Sequence, residues 1–81
     1  PCSGEINSTI SDPPAKIKEI EEIYKSGKKE TLDGISIEFD DWRFNLRMSN
    51  TEPILRLNVE SRNDIELMKQ KTDELLKIIR S

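Results

Sequence analysis

The sequence predicts an α+β domain, a four- to five-stranded antiparallel sheet with two helices packed on one face. Three observations point there. Apolar residues recur at helical spacing after residue 12 and again after residue 63. Between these segments the period changes to two. A single two-residue turn then brings two of the alternating runs into one register. Two amphipathic helices and one apolar sheet face bury each other most economically as two layers.

Each element has a local reason. Residues 5–10, with apolar Ile6 and Ile10, read as a short edge strand. Asp12 before Pro13 and Pro14 is a helix start. The Asp carboxylate accepts from free first-turn amides, and proline is tolerated where its missing N–H had no partner. Ala15, Ile17, Ile20, Ile23 and Tyr24 follow at helical spacing. Gly27 is expected to end that helix in a left-handed conformation, with Lys25 in its last turn against the dipole. The lysines and glutamates of residues 16–30 read as a solvated helix face.

Asp33-Gly34 is a strong hairpin dipeptide. Ile35, Ile37 and Phe39 alternate with polar residues, as do Trp42, Phe44 and Leu46. A two-residue turn at Asp40-Asp41 sets Phe39 opposite Trp42, Ile37 opposite Phe44 and Ile35 opposite Leu46, all on one face. That assigns Trp42 and Phe44 to the core and makes Asp40 and Asp41 turn residues, not metal ligands. Residues 54–60 form a further strand, with Leu55, Leu57 and Val59 facing the same core. Asn63, three residues before Glu66, resembles a capping box for a long helix over residues 64–80. Ile65, Met68, Thr72, Leu75 and Ile79 form its stripe, with Leu76 beside it.

Composition narrows the function classes. The chain has 81 residues, enough for one small domain with a thin core. Its net charge of −3 argues against a general nucleic-acid binder. There is no histidine, which removes the commonest general base and metal ligand. The one cysteine, Cys2, permits no internal disulfide and fits a reducing, cytoplasmic setting. No apolar run approaches the length of a membrane span, and no signal peptide is visible. The start at Pro1 without a methionine reads as an engineered expression piece or a processed fragment.

The stretch with chemical content joins the last two strands: Arg47-Met48-Ser49-Asn50-Thr51-Glu52-Pro53, then Ile54-Leu55-Arg56. Alternation outward from Leu46 and Leu55 points Arg47 and Arg56 to the solvated sheet face. Guanidinium groups bind phosphate oxygens in bidentate fashion. Ser49 and Thr51 offer hydroxyl donors, and successive loop amides can form an anion-binding concavity. Asn50 tolerates a left-handed backbone, and Pro53 stiffens the exit. Glu52 is expected to point away or to hold an arginine. The same residues also suit a plain solvated hairpin with two surface arginines, and residue chemistry leaves both readings open.

The 47–53 run, with Arg56 and Glu60 after it, resembles the phosphate-binding loop of the α-D-phosphohexomutases. Met48 falls on that loop's variable position, and Asn50 is similar to the phosphomannomutase/phosphoglucomutase branch. Ser3-Gly4-Glu5-Ile6-Asn7, Asp33-Gly34-Ile35-Ser36, Asp41-Trp42-Arg43-Phe44-Asn45-Leu46-Arg47 and Arg56-Leu57-Asn58-Val59-Glu60-Ser61-Arg62 extend the resemblance over nearly the whole chain.

The resemblance implies that residues 1–81 are the C-terminal, fourth domain of a larger phosphohexomutase, with a TATA-box-binding-protein-like fold. It implies a phosphorylated serine on the first domain, Mg²⁺ held by aspartates on the second, and sugar recognition on the third. The fourth domain then grips the non-reacting phosphate of the phosphohexose through Arg47, Ser49, Asn50, Thr51 and Arg56. On that reading the partners are the substrate and the other three domains. This chain carries no cofactor, metal or catalytic residue of its own, binds no nucleic acid or membrane, and is a monomer in isolation. The alternative is a stand-alone module whose sheet presents Arg43, Asn45, Arg47, Arg56 and Asn58 to an acidic protein or RNA.

Overall fold

In the computed structural model, which describes residues 1–31 and 34–81, five antiparallel strands form one sheet with two helices. The order along the chain is β1 (Ile6–Thr9), α1 (Pro13–Ile23), β2 (Lys28–Glu30), β3 (Ile35–Glu38), β4 (Trp42–Met48), β5 (Ile54–Ser61) and α2 (Ile65–Ile79). The strand order across the sheet is β1-β5-β4-β3-β2. The long central strands β4 and β5 therefore carry the helices on one face and leave the other face open.

The register follows the alternation. Ile35 pairs with Leu46 and Ile37 with Phe44, while the Phe39 amide donates to the Trp42 carbonyl at 2.8 Å. Leu46 pairs with Leu57 and Phe44 with Val59. These side chains, with Ile20, Tyr24, Leu55, Leu75 and Ile79, are the buried core. Tyr24 sets its ring edge-on to Trp42 at 5.8 Å and to Phe44 at 5.3 Å, and Phe39 stacks on Trp42 at 4.8 Å. The aromatic rings thus join α1 to the sheet.

Several expectations are corrected. β2 lies within residues assigned to a solvated helix face. Its three residues are charged and exposed, which suits an outermost strand because charge blunts a free edge. Helix α1 ends at Ile23, with the Tyr24 amide donating to Ile20. Lys25 lies beyond it and pairs with Glu22. Gly27 does not adopt a left-handed conformation. Its reason is space, since a Cβ there would meet Ile37 Cγ2 at 2.4 Å. Ala15 and Ile23 are exposed, as is Ile65 at the first turn of α2. Asp64, not Asn63, caps α2, accepting from the Leu67 amide at 3.0 Å. The Arg62 amide is tied to Asp41, so Asn63 makes the reversal with φ +49°. Asp33 of the expected hairpin dipeptide lies outside the described residues. Its neighbour Gly34 has φ +75°.

Side chains of the two helices tie the far ends of the chain together. The Tyr24 hydroxyl donates to Glu74. Lys16 Nζ donates to the Ile78 carbonyl at 3.1 Å, satisfying a C-terminal acceptor of α2. Arg80 Nε donates to the Ser8 hydroxyl at 3.1 Å.

Two predictions follow from this packing. Burial first, then the hydrogen bond and charge of Glu74, push the Tyr24 phenol above its ordinary value. A raised folded-state value means the neutral phenol's contribution is complete below the unfolded value of about 10 and fades as the pH rises beyond it. Urea melts between pH 8 and 11 should show this alkaline loss in the unsubstituted protein and a flatter profile in Tyr24→Phe. Gly34 is the second case, because a Cβ there would sit 2.5 Å from the Leu46 carbonyl and 2.6 Å from Arg47 Cβ. Gly34→Ala should cost at least about 1–2 kcal/mol from its left-handed backbone alone. Amide shifts should move at Leu46 and Arg47, measured by chemical denaturation and NMR.

Candidate functional site

The antiparallel register of β4 and β5 sets Arg47 directly opposite Arg56. Both are half-buried on the open face, as alternation requires. Like charges directly opposite in a sheet repel, so this rung is held together by the strands and not by its side chains. Beyond the Met48–Leu55 pair the two strands are joined by the loop of residues 49–53. The Ser49 amide donates to the Ile54 carbonyl at 3.1 Å, and the Ile54 amide turns back to Glu52. The loop is thus closed at its base.

Within the loop Ser49 Oγ accepts from the Thr51 amide at 3.3 Å and lies 3.5 Å from Thr51 Oγ1. Ser49, Asn50 and Thr51 are brought together as a small hydroxyl-braced turn. Asn50 is exposed and not left-handed, which corrects the expected reason for its presence. The Ser49 and Thr51 amides are spoken for. Those of Asn50 and Glu52 have no hydrogen bond among the described residues. The turn therefore offers two amides and one hydroxyl proton to an acceptor, the other hydroxyl donating within the turn.

The arginines are not alike. Arg47 Nη2 donates to Glu5 Oε1 at 3.0 Å. Arg56 makes no ion pair among the described residues, and its buried Nε lacks a hydrogen-bond partner there. A buried donor without a partner costs about 1–3 kcal/mol. Glu52, the carboxylate expected to point away or hold an arginine, is exposed. Glu5 holds Arg47 instead. Sequence reasoning missed Glu5 as a site residue. The available signal was the alternation of Glu5 and Asn7 with Ile6, which puts Glu5 on the arginine face.

The rest of the open face carries less unbalanced charge. Arg43 pairs with Glu60 at 2.7 Å. Between that ion pair and the arginine rung lies the neutral rung of Asn45 and Asn58. Asn45 Nδ2 donates to Ser36 Oγ at 3.0 Å and to the Ile35 carbonyl at 3.2 Å. Positive charge is concentrated where the loop begins. No group of three or more His, Cys, Asp or Glu side chains suited to a metal occurs among the described residues. No helix among them is long and apolar enough to cross a membrane.

The rung and the loop set planar guanidinium donors on one side and short hydroxyl and amide donors on the other, donor types that suit an oxyanion.

Comparison with known proteins leads to one family. The family model described as "Phosphoglucomutase/phosphomannomutase, C-terminal domain" matches residues 5–77. A phosphomannomutase of Salmonella montevideo is 51% identical over 83 residues, covering 100% of this chain and 18% of the relative. One from Escherichia coli K12 is 49% identical, covering 98% and 18%. One from Methanocaldococcus jannaschii is 48% identical, covering 98% and 17%. The chain thus spans about 18% of the length of the bacterial relatives it matches. With residues 5–77 matched, from β1 into α2, the chain belongs to the phosphoglucomutase/phosphomannomutase C-terminal domain family.

Proposed function

We propose that this domain grips the non-reacting phosphate of a phosphohexose, mannose or glucose 1- or 6-phosphate, within a phosphomannomutase. The observation that carries the reading is the Arg47–Arg56 rung beside the 49–53 loop. Two guanidinium groups suit a phosphate dianion in charge and in planar donor geometry. Ser49, Asn50 and Thr51 supply the remaining donors. The relatives are named phosphomannomutases, which supports the enzyme class.

The role is binding and orientation. A mutase must accept its substrate in two orientations, with either the 1- or the 6-phosphate away from the reacting centre. A site built only of phosphate donors serves both, because it makes no demand on the sugar. Binding energy gained at this remote group orients the reacting end. The phosphorylated serine and the Mg²⁺ ligands of such an enzyme belong to other domains, so the isolated chain should have no mutase activity. The alternative of an RNA-binding sheet gains no support, because Trp42 and Phe44 are buried and present no stacking platform.

Titrating mannose 1-phosphate into the chain while following backbone amides tests this. Saturable shifts at Ser49, Asn50 and Thr51, lost in Arg47→Ala, are expected, with no conversion to the 6-phosphate. Shifts confined to another surface, or a response that survives Arg47→Ala unchanged, would contradict it.

A further inference from the structure

We propose that Asn7 on β1 is a further phosphate-binding residue, donating its side-chain amide to a phosphate held by Arg56. This deepens the phosphate-binding reading above and rests on it.

The strand register puts Asn7 in the arginine row. β1 pairs with β5 so that Asn7 stands directly opposite Arg56. On its other side Arg56 stands opposite Arg47. With neighbouring strands about 4.8 Å apart, Asn7 and Arg47 are the two nearest neighbours of Arg56 across the sheet. The row therefore runs over three strands, and Arg56 is its middle member.

The helix-covered side of β1 fixes which way Asn7 faces. Ser8 is buried, and its hydroxyl accepts from Arg80 Nε at 3.1 Å. Ile10, two residues on, belongs to the core. Alternation then turns Asn7 to the open face, where it is exposed. The end of β1 is also tied to the loop, because the Ile10 amide donates to the Pro53 carbonyl at 2.8 Å. Asn7, Arg56 and the 49–53 loop are thus parts of one hydrogen-bonded frame.

The donors in this part of the row are unspent. Among the described residues the Asn7 side chain makes no hydrogen bond, and the buried Arg56 Nε has no partner. Asn45, on the next row, instead gives its side-chain amide to Ser36 and to the Ile35 carbonyl. Two neighbouring side chains with free N–H groups suit an incoming oxyanion. A carboxamide is neutral and carries both donors and an acceptor. It adds a hydrogen bond to the phosphate without competing for the guanidinium as a carboxylate would.

The test is a titration of inorganic phosphate into the unsubstituted chain and Asn7→Ala, following the 49–51 amides and the asparagine side-chain amides by NMR. Asn7 is exposed, so the substitution leaves the core intact. Loss of one hydrogen bond should weaken loop binding by at least about threefold. In the unsubstituted chain the Asn7 side-chain amide should shift along the same saturation curve as the loop. That of Asn58, one row farther from the loop, should stay still. Equal affinity in Asn7→Ala, or an Asn7 side-chain amide that moves no more than that of Asn58, overturns this inference alone. No saturation in either protein overturns both this inference and the phosphate reading.

Discussion

The pairing of β4 with β5 is the constraint on which the rest depends. Seven consecutive rungs join the two strands, from Trp42 with Ser61 to Met48 with Leu55. Rungs such as Leu46–Leu57 and Phe44–Val59 face the helices and are buried. A slip of one residue would turn these side chains to water. The buried face thus fixes the register, and the register fixes which polar residues meet on the open face. Arg47 lies opposite Arg56 because Leu46 must lie opposite Leu57. The core specifies the charged rung, despite the repulsion there.

Much of this was legible in the sequence for the same physical reason. Strict alternation through Ile35, Ile37, Trp42, Phe44 and Leu46 admits one hairpin register, and the structure has it. The placement of Arg47 and Arg56 on one face follows directly. What escaped was set by tertiary contact. β2 has no apolar signal because it is an exposed edge. Gly27 was read for its handedness, but its packing against Ile37 and Phe39 is a contact between distant segments. Asn63 and Asp64 are both good caps, and the tie from Arg62 to Asp41 decides between them. Glu5 was passed over because its partner is 42 residues away.

The domain puts its apolar core on one face and its polar donors on the other. The helix-covered side carries the rings, the aliphatic core and the Tyr24–Glu74 tie. The open side carries donors and charges, some mutually satisfied and some not. The 49–53 loop is braced by its own hydroxyls, so its shape needs no ligand. For the proposed phosphate this is preorganisation, in which donors are set beforehand and binding does not have to order them. The relatives named phosphomannomutases are several times longer than this chain.

A crystal structure of the chain grown in inorganic phosphate tests the central claim most directly. The account predicts tetrahedral density against the 49–51 turn, with donors from Ser49 and Thr51 and a guanidinium from the arginine rung in contact. Phosphate bound on another face, with the turn bare, would contradict it.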